Sequence, residues 1–180
     1  TKLKPEPAVA KSIPQEQERH FSLLIDELQR KGKQILTLDD VIELIGNRTP
    51  VVVSGFSKYG HSPIPEAAID AEAHALLEQI GAPDQNLLIT GGTDNGFEHA
   101  VHEAALDNGF EVVGFIQRGA IAGEIGLVNK LAFAGVHDDW SAPLLAALSL
   151  AKSKGGFAVF VGGGGVVMEG IRHAVSLGLD

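Results

Sequence analysis

Three glycine-rich segments, each placed after an apolar run and before a helical pattern, carry the residues best suited to chemistry. They are Ser54-Gly55-Phe56-Ser57-Lys58-Tyr59-Gly60-His61, Gly91-Gly92-Thr93-Asp94-Asn95-Gly96 and Gly162-Gly163-Gly164-Gly165. Glycine lets a ligand approach the backbone, and the helix start that follows offers free N–H groups and the positive end of a dipole to an anion. Taken alone, each loop also reads as a tight turn that packs strand on helix. Three at the same edge of one sheet point to a phosphate or nucleotide cradle. Its candidate binding residues are Ser54, Gly55, Ser57, Gly91, Gly92, Thr93, Asn95, Gly96, Gly162, Gly163, Gly164 and Gly165. Glu169, one turn into the helix after the third loop, is the candidate catalytic group. It could serve as general base or stabilise an oxocarbenium-like charge, and the same position also suits a routine helix-dipole partner.

Other constellations carry less. Gly96 is followed by Phe97 and Glu98, not by the Lys-Ser/Thr pair of a P-loop, and a dinucleotide fingerprint would need glycine at Val167 or Met168. His99 and His102 sit three apart on one helix without the His-Glu-x-x-His order of a zincin, so they are expected on a solvated face. Neither a metal site nor a cofactor is expected. Asp138 or Asp139 is expected to cap the next helix, and Trp140 to anchor a core or an interface. With no G-x-S-x-G elbow, a hydrolase triad has no support.

The elements that must position these loops follow from periodicity. Helices are expected from Gln15 to Lys31 and, after the capping residues Thr37 and Asp40, up to about Gly46. Strand-helix cycles then begin at Val51-Val52-Val53, at Leu87 to Thr90 and at Val112 to Ile116, with later strands at Leu131 to Val136 and Phe157 to Val161. The intervening helices are expected over 66–80, 96–108, 140–152 and 166–177. Fully apolar strands alternating with helices predict an α/β fold: a doubly wound parallel sheet, Rossmann-like, with an N-terminal helical arm. The expected division is an extended tail over 1–13, a helical segment over 14–48 and the Rossmann-like domain over 49–180. In such sheets ligands bind outside the carboxyl ends of the strands, where all three loops lie.

Composition narrows the function. The chain has 180 residues, 44% of them hydrophobic, with 14 Lys and Arg against 23 Asp and Glu and a formal charge of −9. That charge repels phosphate backbones, so a nucleic acid polymer is not an expected partner. The longest apolar stretch, Gly156 to Met168, spans 13 residues and includes five glycines. It falls short of the roughly 18 that cross a bilayer. With no cysteine there is no disulfide framework and no thiol nucleophile, and with no apolar export signal the cytoplasm is the expected compartment.

The segment Leu88-Ile-Thr-Gly-Gly-Thr-Asp-Asn-Gly-Phe-Glu-His-Ala-Val-His-Glu-Ala-Ala-Leu106 resembles the first glycine-rich strand-loop-helix of the LOG family, within the SLOG superfamily of Rossmann-like domains. Val161-Gly-Gly-Gly-Gly-Val-Val-Met-Glu169 occupies the place of that family's Pro-Gly-Gly-x-Gly-Thr-x-x-Glu signature, and the similarity covers about residues 50–180. The resemblance implies a nucleoside-monophosphate phosphoribohydrolase that cleaves an N-glycosidic bond with Glu169, or a SLOG-type domain that only senses a ligand. It also adds Val166 to the cradle, at the position of the family's Thr, and implies a homo-oligomer, commonly a dimer. Val161 replaces the family's Pro, and no Arg stands near Ala146, where the family carries an Arg-Lys pair. Arg118 is the nearest cationic substitute by topology and the second catalytic candidate. The family usually continues with further strands past the point where this sequence stops, at Asp180.

Overall fold

Val51, Val52 and Val53 are branched at Cβ and stiff at χ1, which suits them to a pleated strand with both faces covered. In the computed structural model, which describes residues 9–57 and 62–180, they lie at the centre of β2 (Thr49–Gly55) and are almost wholly buried. Around it stand β1 (Gln34–Leu36), β3 (Asn86–Thr90), β4 (Val112–Ile116), β5 (Lys130–Phe133) and β6 (Phe157–Val161). All are parallel, in the order β1-β5-β4-β3-β2-β6. Period-two alternation splits the core. Val52, Leu87, Ile89, Val113 and Phe115 face one side; Val51, Val53 and Leu88 face the other.

The first side is covered by α2 (Leu38–Ile45), α5 (Ala142–Ser153) and α6 (Gly165–Leu177), through Val41, Ile45, Leu148, Ala151 and Ala174. The second is covered by α3 (Ile69–Ile80) and α4 (Gly96–Asp107), through Ala73, Leu77, Val101 and Ala105. Helix α1 (Val9–Arg30) extends that cover, with Leu24 and Leu28 against Ile116 and Leu131. The α/β Rossmann-like architecture with an N-terminal helix is therefore as expected.

Three local features differ from the sequence expectation. Helix α1 begins at Val9 and runs through Pro14, so residues 9–13 are helical where an extended tail was expected; residues 1–8 lie outside the described residues. The strand β1 has only three residues, too few to show a period, and its place is set from a distance. Gln34 N–H donates to Asn129 O at 2.7 Å, and Lys33 Nζ donates to Asn129 Oδ1 and to Gly126 O. The expected boundary at residue 48 thus separates two parts that share one sheet. The third feature is a short 3-10 turn, Ala122–Glu124, whose Glu124 O accepts from Asp94 N–H at 2.8 Å. The capping of α2 matches expectation: Asp40 N–H donates to Thr37 Oγ1 at 3.1 Å and Thr37 N–H to Asp40 Oδ2 at 2.9 Å.

Candidate functional site

The chain steps outward from β2 through β3 and β4 to β5 and then returns to the far side of β2 as β6. This reversal opens the sheet's carboxyl edge between β2 and β6, the place where doubly wound folds bind ligands. A cleft of about 490 Å³ lies there. Its floor is the ends of β2, β3 and β4, and its walls come from α4, α5 and the start of α6.

Of the candidate binding residues, Ser54, Gly55, Ser57, Gly91, Thr93, Asn95, Gly164, Gly165 and Val166 line the cleft. Gly92, Gly96, Gly162 and Gly163 stand behind it and pack backbone on neighbours. Gly96 is the clearest case: its φ is 55°, and a Cβ there would drive into Phe56 O and the Ser57 backbone. Lys58 to His61, the rest of the first loop, lie outside the described residues. Glu169 is exposed one turn into α6, where its Oε2 accepts from Ser141 Oγ at 2.5 Å. Ser141 stands in the chain between Trp140 and Pro143, which line the cleft; Ser141 and Glu169 lie beside it and are not part of its lining. Arg118 is held elsewhere, its guanidinium 4.4 Å above the centre of the Phe21 ring.

Two loops with similar glycine content present their amides differently. After β3, Gly91 N–H donates to Glu98 Oε1 at 3.1 Å and Gly92 N–H to Thr90 Oγ1 at 3.1 Å. Asp94 N–H and Phe97 N–H donate to Glu124 O and Phe56 O. Four amides of that loop are thus committed within the protein. At the start of α6, by contrast, no described group accepts from Gly165, Val166 or Val167 N–H, and no side chain caps the helix. Gly164, Gly165, Val166 and Val167 all line the cleft, so this helix end is open to an anion.

Sequence reading missed the side chains that organise the β3 loop. His102, expected on a solvated face, is 1% exposed. Its Nε2 is 2.7 Å from Thr90 Oγ1 and its Nδ1 is 3.1 Å from Asp94 Oδ1. The second Asp94 oxygen accepts from Leu127 N–H at 3.0 Å. Burial pushes the Asp94 carboxyl up, but the hydrogen bonds from His102 and Leu127 outweigh it and hold the group below the usual Asp range. Helical periodicity placed His102 on α4 but could not show that Thr90 and Asp94 converge on it.

Glu98 was also missed. It lines the cleft, partly buried, and burial pushes its carboxyl up to about 7 against the lowering effect of the Gly91 N–H. A Cβ at residue 91 would fall 2.8 Å from Glu98 Oε2, so glycine there is what admits the carboxyl. Gln117, buried in the floor, donates to Val136 O and His137 O and accepts from Gly119 N–H, tying the loops after β4 and β5 together. The N-cap of α5 is Ser141 and not Asp138 or Asp139 as expected; Asp139, two residues earlier, instead accepts from Ser141 and Ala142 N–H through Oδ1. Trp140 belongs to the cleft wall and is 57% exposed, so it is no core residue. Among the described residues no group of three or more His, Asp or Glu could hold a metal ion, and no helix is long and apolar enough to cross a membrane.

The fold is shared with solved structures. One is the molybdenum cofactor carrier protein of Chlamydomonas reinhardtii, 20% identical, with a TM-score of 0.55 over 73% of each chain. Another is the structural-genomics target TM1055, 20% identical, with a TM-score of 0.52 over 73% of this chain and 71% of that one. At that identity the likeness is one of fold: a parallel α/β, Rossmann-like architecture. No protein-family model and no curated protein matches the chain.

Proposed function

We propose that this chain binds a nucleotide or nucleotide-derived small molecule in the cleft at the carboxyl edge of its sheet. The observation that carries the reading is the convergence of the three glycine-rich loops on one 490 Å³ cleft with the uncapped α6 N-terminus in its wall. The ligand's anionic group lies at Gly164 to Val167, within reach of the free amides, and Trp140 offers an aromatic face at the mouth. Ser54, Ser57, Thr93 and Asn95 supply hydroxyl and amide partners for a sugar. The carrier role named for the Chlamydomonas protein supports a binding function in this fold.

A hydrolytic reading rests on one further observation: Glu169 is an exposed carboxyl beside the cleft, oriented by Ser141. In that reading the chain is a phosphoribohydrolase. Glu169 activates the water or stabilises the ribosyl cation as the N-glycosidic bond breaks, and Arg118 leaves Phe21 to clamp the phosphate. In the ligand-sensing reading the cleft only binds, and Arg118 stays on Phe21. No Lys, Arg or His lines the cleft among the described residues, which favours binding over turnover.

The chain acts in the cytoplasm as a homo-oligomer, a dimer in the simplest case. Large exposed apolar side chains such as Ile121, Val136 and Val175 give it surface to bury between copies. A monodisperse monomer by light scattering at micromolar concentration would refute the dimer. The functional test incubates wild type and Glu169→Ala with a panel of nucleoside monophosphates, following free base by chromatography and binding by thermal shift. Base release lost in Glu169→Ala establishes the hydrolase; stabilisation without release leaves a binder; neither response overturns the cleft as a nucleotide site.

A further inference from the structure

Glu98 is a carboxyl without a cation. The charged side chains of the cleft wall, among the described residues, are Glu98 and Glu124, both acidic. Glu98 Oε1 accepts from Gly91 N–H, and no described donor reaches Oε2, which is left to the cleft. The nearby titratable groups on the same helix and loop are engaged elsewhere: Asp94 with His102, and His99 Nε2 with Glu103 Oε1 at 3.2 Å. From across the cleft come Glu124 on its exposed 3-10 turn and, beside the cleft, Glu169. None of these supplies a donor to Glu98. Oε2 opens on the cleft, where water satisfies it in the free protein and a ligand N–H can take that water's place.

We infer that Glu98 selects the ligand's ring: its carboxylate takes a heterocycle whose edge offers two adjacent N–H donors, the ring N–H and exocyclic amine of a 2-amino-4-oxopyrimidine such as guanine. This rests on the cleft reading above and sets the ligand's direction within it, with the anion at the start of α6 and the donor edge at the start of α4. The pairing is planar and bidentate, like that of carboxylate with guanidinium. An adenine edge offers one donor and one acceptor, so it needs the protonated acid instead. The two rings therefore respond to pH in opposite senses. Because the unliganded carboxyl titrates near neutrality, guanine binding releases a proton and strengthens as pH rises.

Calorimetric titration of the full chain with GMP, IMP, AMP and ribose 5-phosphate at pH 6 and pH 8 tests this. Expected are GMP affinities at least tenfold above those of AMP at pH 8 and a GMP-to-AMP ratio that rises about a hundredfold from pH 6 to pH 8, about tenfold from each nucleotide. The common phosphate cancels from that ratio. IMP, which lacks the exocyclic amine, falls between the two. Glu98→Gln abolishes the preference while leaving ribose 5-phosphate unchanged. Equal affinity for all three nucleotides, or a preference that Glu98→Gln retains, overturns the assignment of Glu98 and leaves the cleft standing. Absence of binding by every probe overturns the cleft reading and this inference with it. The wild-type pH ratio decides the matter even if the variant folds poorly.

Discussion

The loop after β3 and the loop after β6 are both glycine-rich, yet opposite in design. In the first, the amides of Gly91 and Gly92 are satisfied by Glu98 and Thr90, and a buried Thr90–His102–Asp94 chain fixes the turn. In the second, glycines run into α6 with no cap, and the first amides of the helix face the cleft. A glycine-rich loop becomes an anion cradle only when its own side chains leave the amides free. A carboxylate in the first turn occupies the position an anion would take.

The contrast can be broken most forcefully at Gly96. Alanine there has to adopt a left-handed φ and push its Cβ into Phe56 O, so Gly96→Ala should cost about 3 kcal/mol or more in denaturant unfolding. Glu98 gives the next effect, through pH. Its folded pKa is raised, so its contribution to stability is complete below the unfolded value near 4.5 and is lost as pH rises through about 7. Wild-type stability should fall by on the order of 3 kcal/mol across that window. Glu98→Gln should flatten the profile, and an equally steep decline in the variant would place the titration elsewhere. Asp94 has the opposite sign: its contribution is present above the usual Asp range and disappears only as pH falls below it, outside this window.

Thr90→Val keeps the shape and removes the hydroxyl between Gly92 N–H and His102 Nε2. It should cost about 2 kcal/mol, because a buried ring nitrogen and an amide lose their partner. Amide hydrogen exchange at Gly92 should quicken in step. The smallest effect on stability belongs to the other loop. Gly165→Ala meets nothing within 4 Å and should change stability by less than about 1 kcal/mol. Gly165→Asp, which places a carboxylate at the open end of α6, should instead abolish ribose 5-phosphate binding in the same titration.

Much of the fold was legible because its signals are local. The β-branched run 51–53, the glycines that close α3 and α4, and the Thr37–Asp40 box each act within a few residues, and each element formed within a few positions of expectation. The strand β1 was not legible, since three residues hold no period and its partners lie nearly a hundred residues away. The candidate site divides in the same way. Glycines and helix starts marked the loops that line the cleft. Nothing in the spacing of Thr90, Asp94, Glu98 and His102 showed which would be buried or which amides they would occupy.

The sequence by itself determined the alternation of apolar strands and helices and the clustering of glycines at one edge of the sheet, because backbone propensity and periodicity are written in neighbouring residues. Only the tertiary structure decided which loop's amides remain free, that Arg118 rests on Phe21, and that a glutamate in the first turn of α4 faces the cleft with one oxygen unclaimed. Those outcomes depend on burial and on hydrogen-bond partners brought from distant parts of the chain. A buried polar group is costly until such a partner is found.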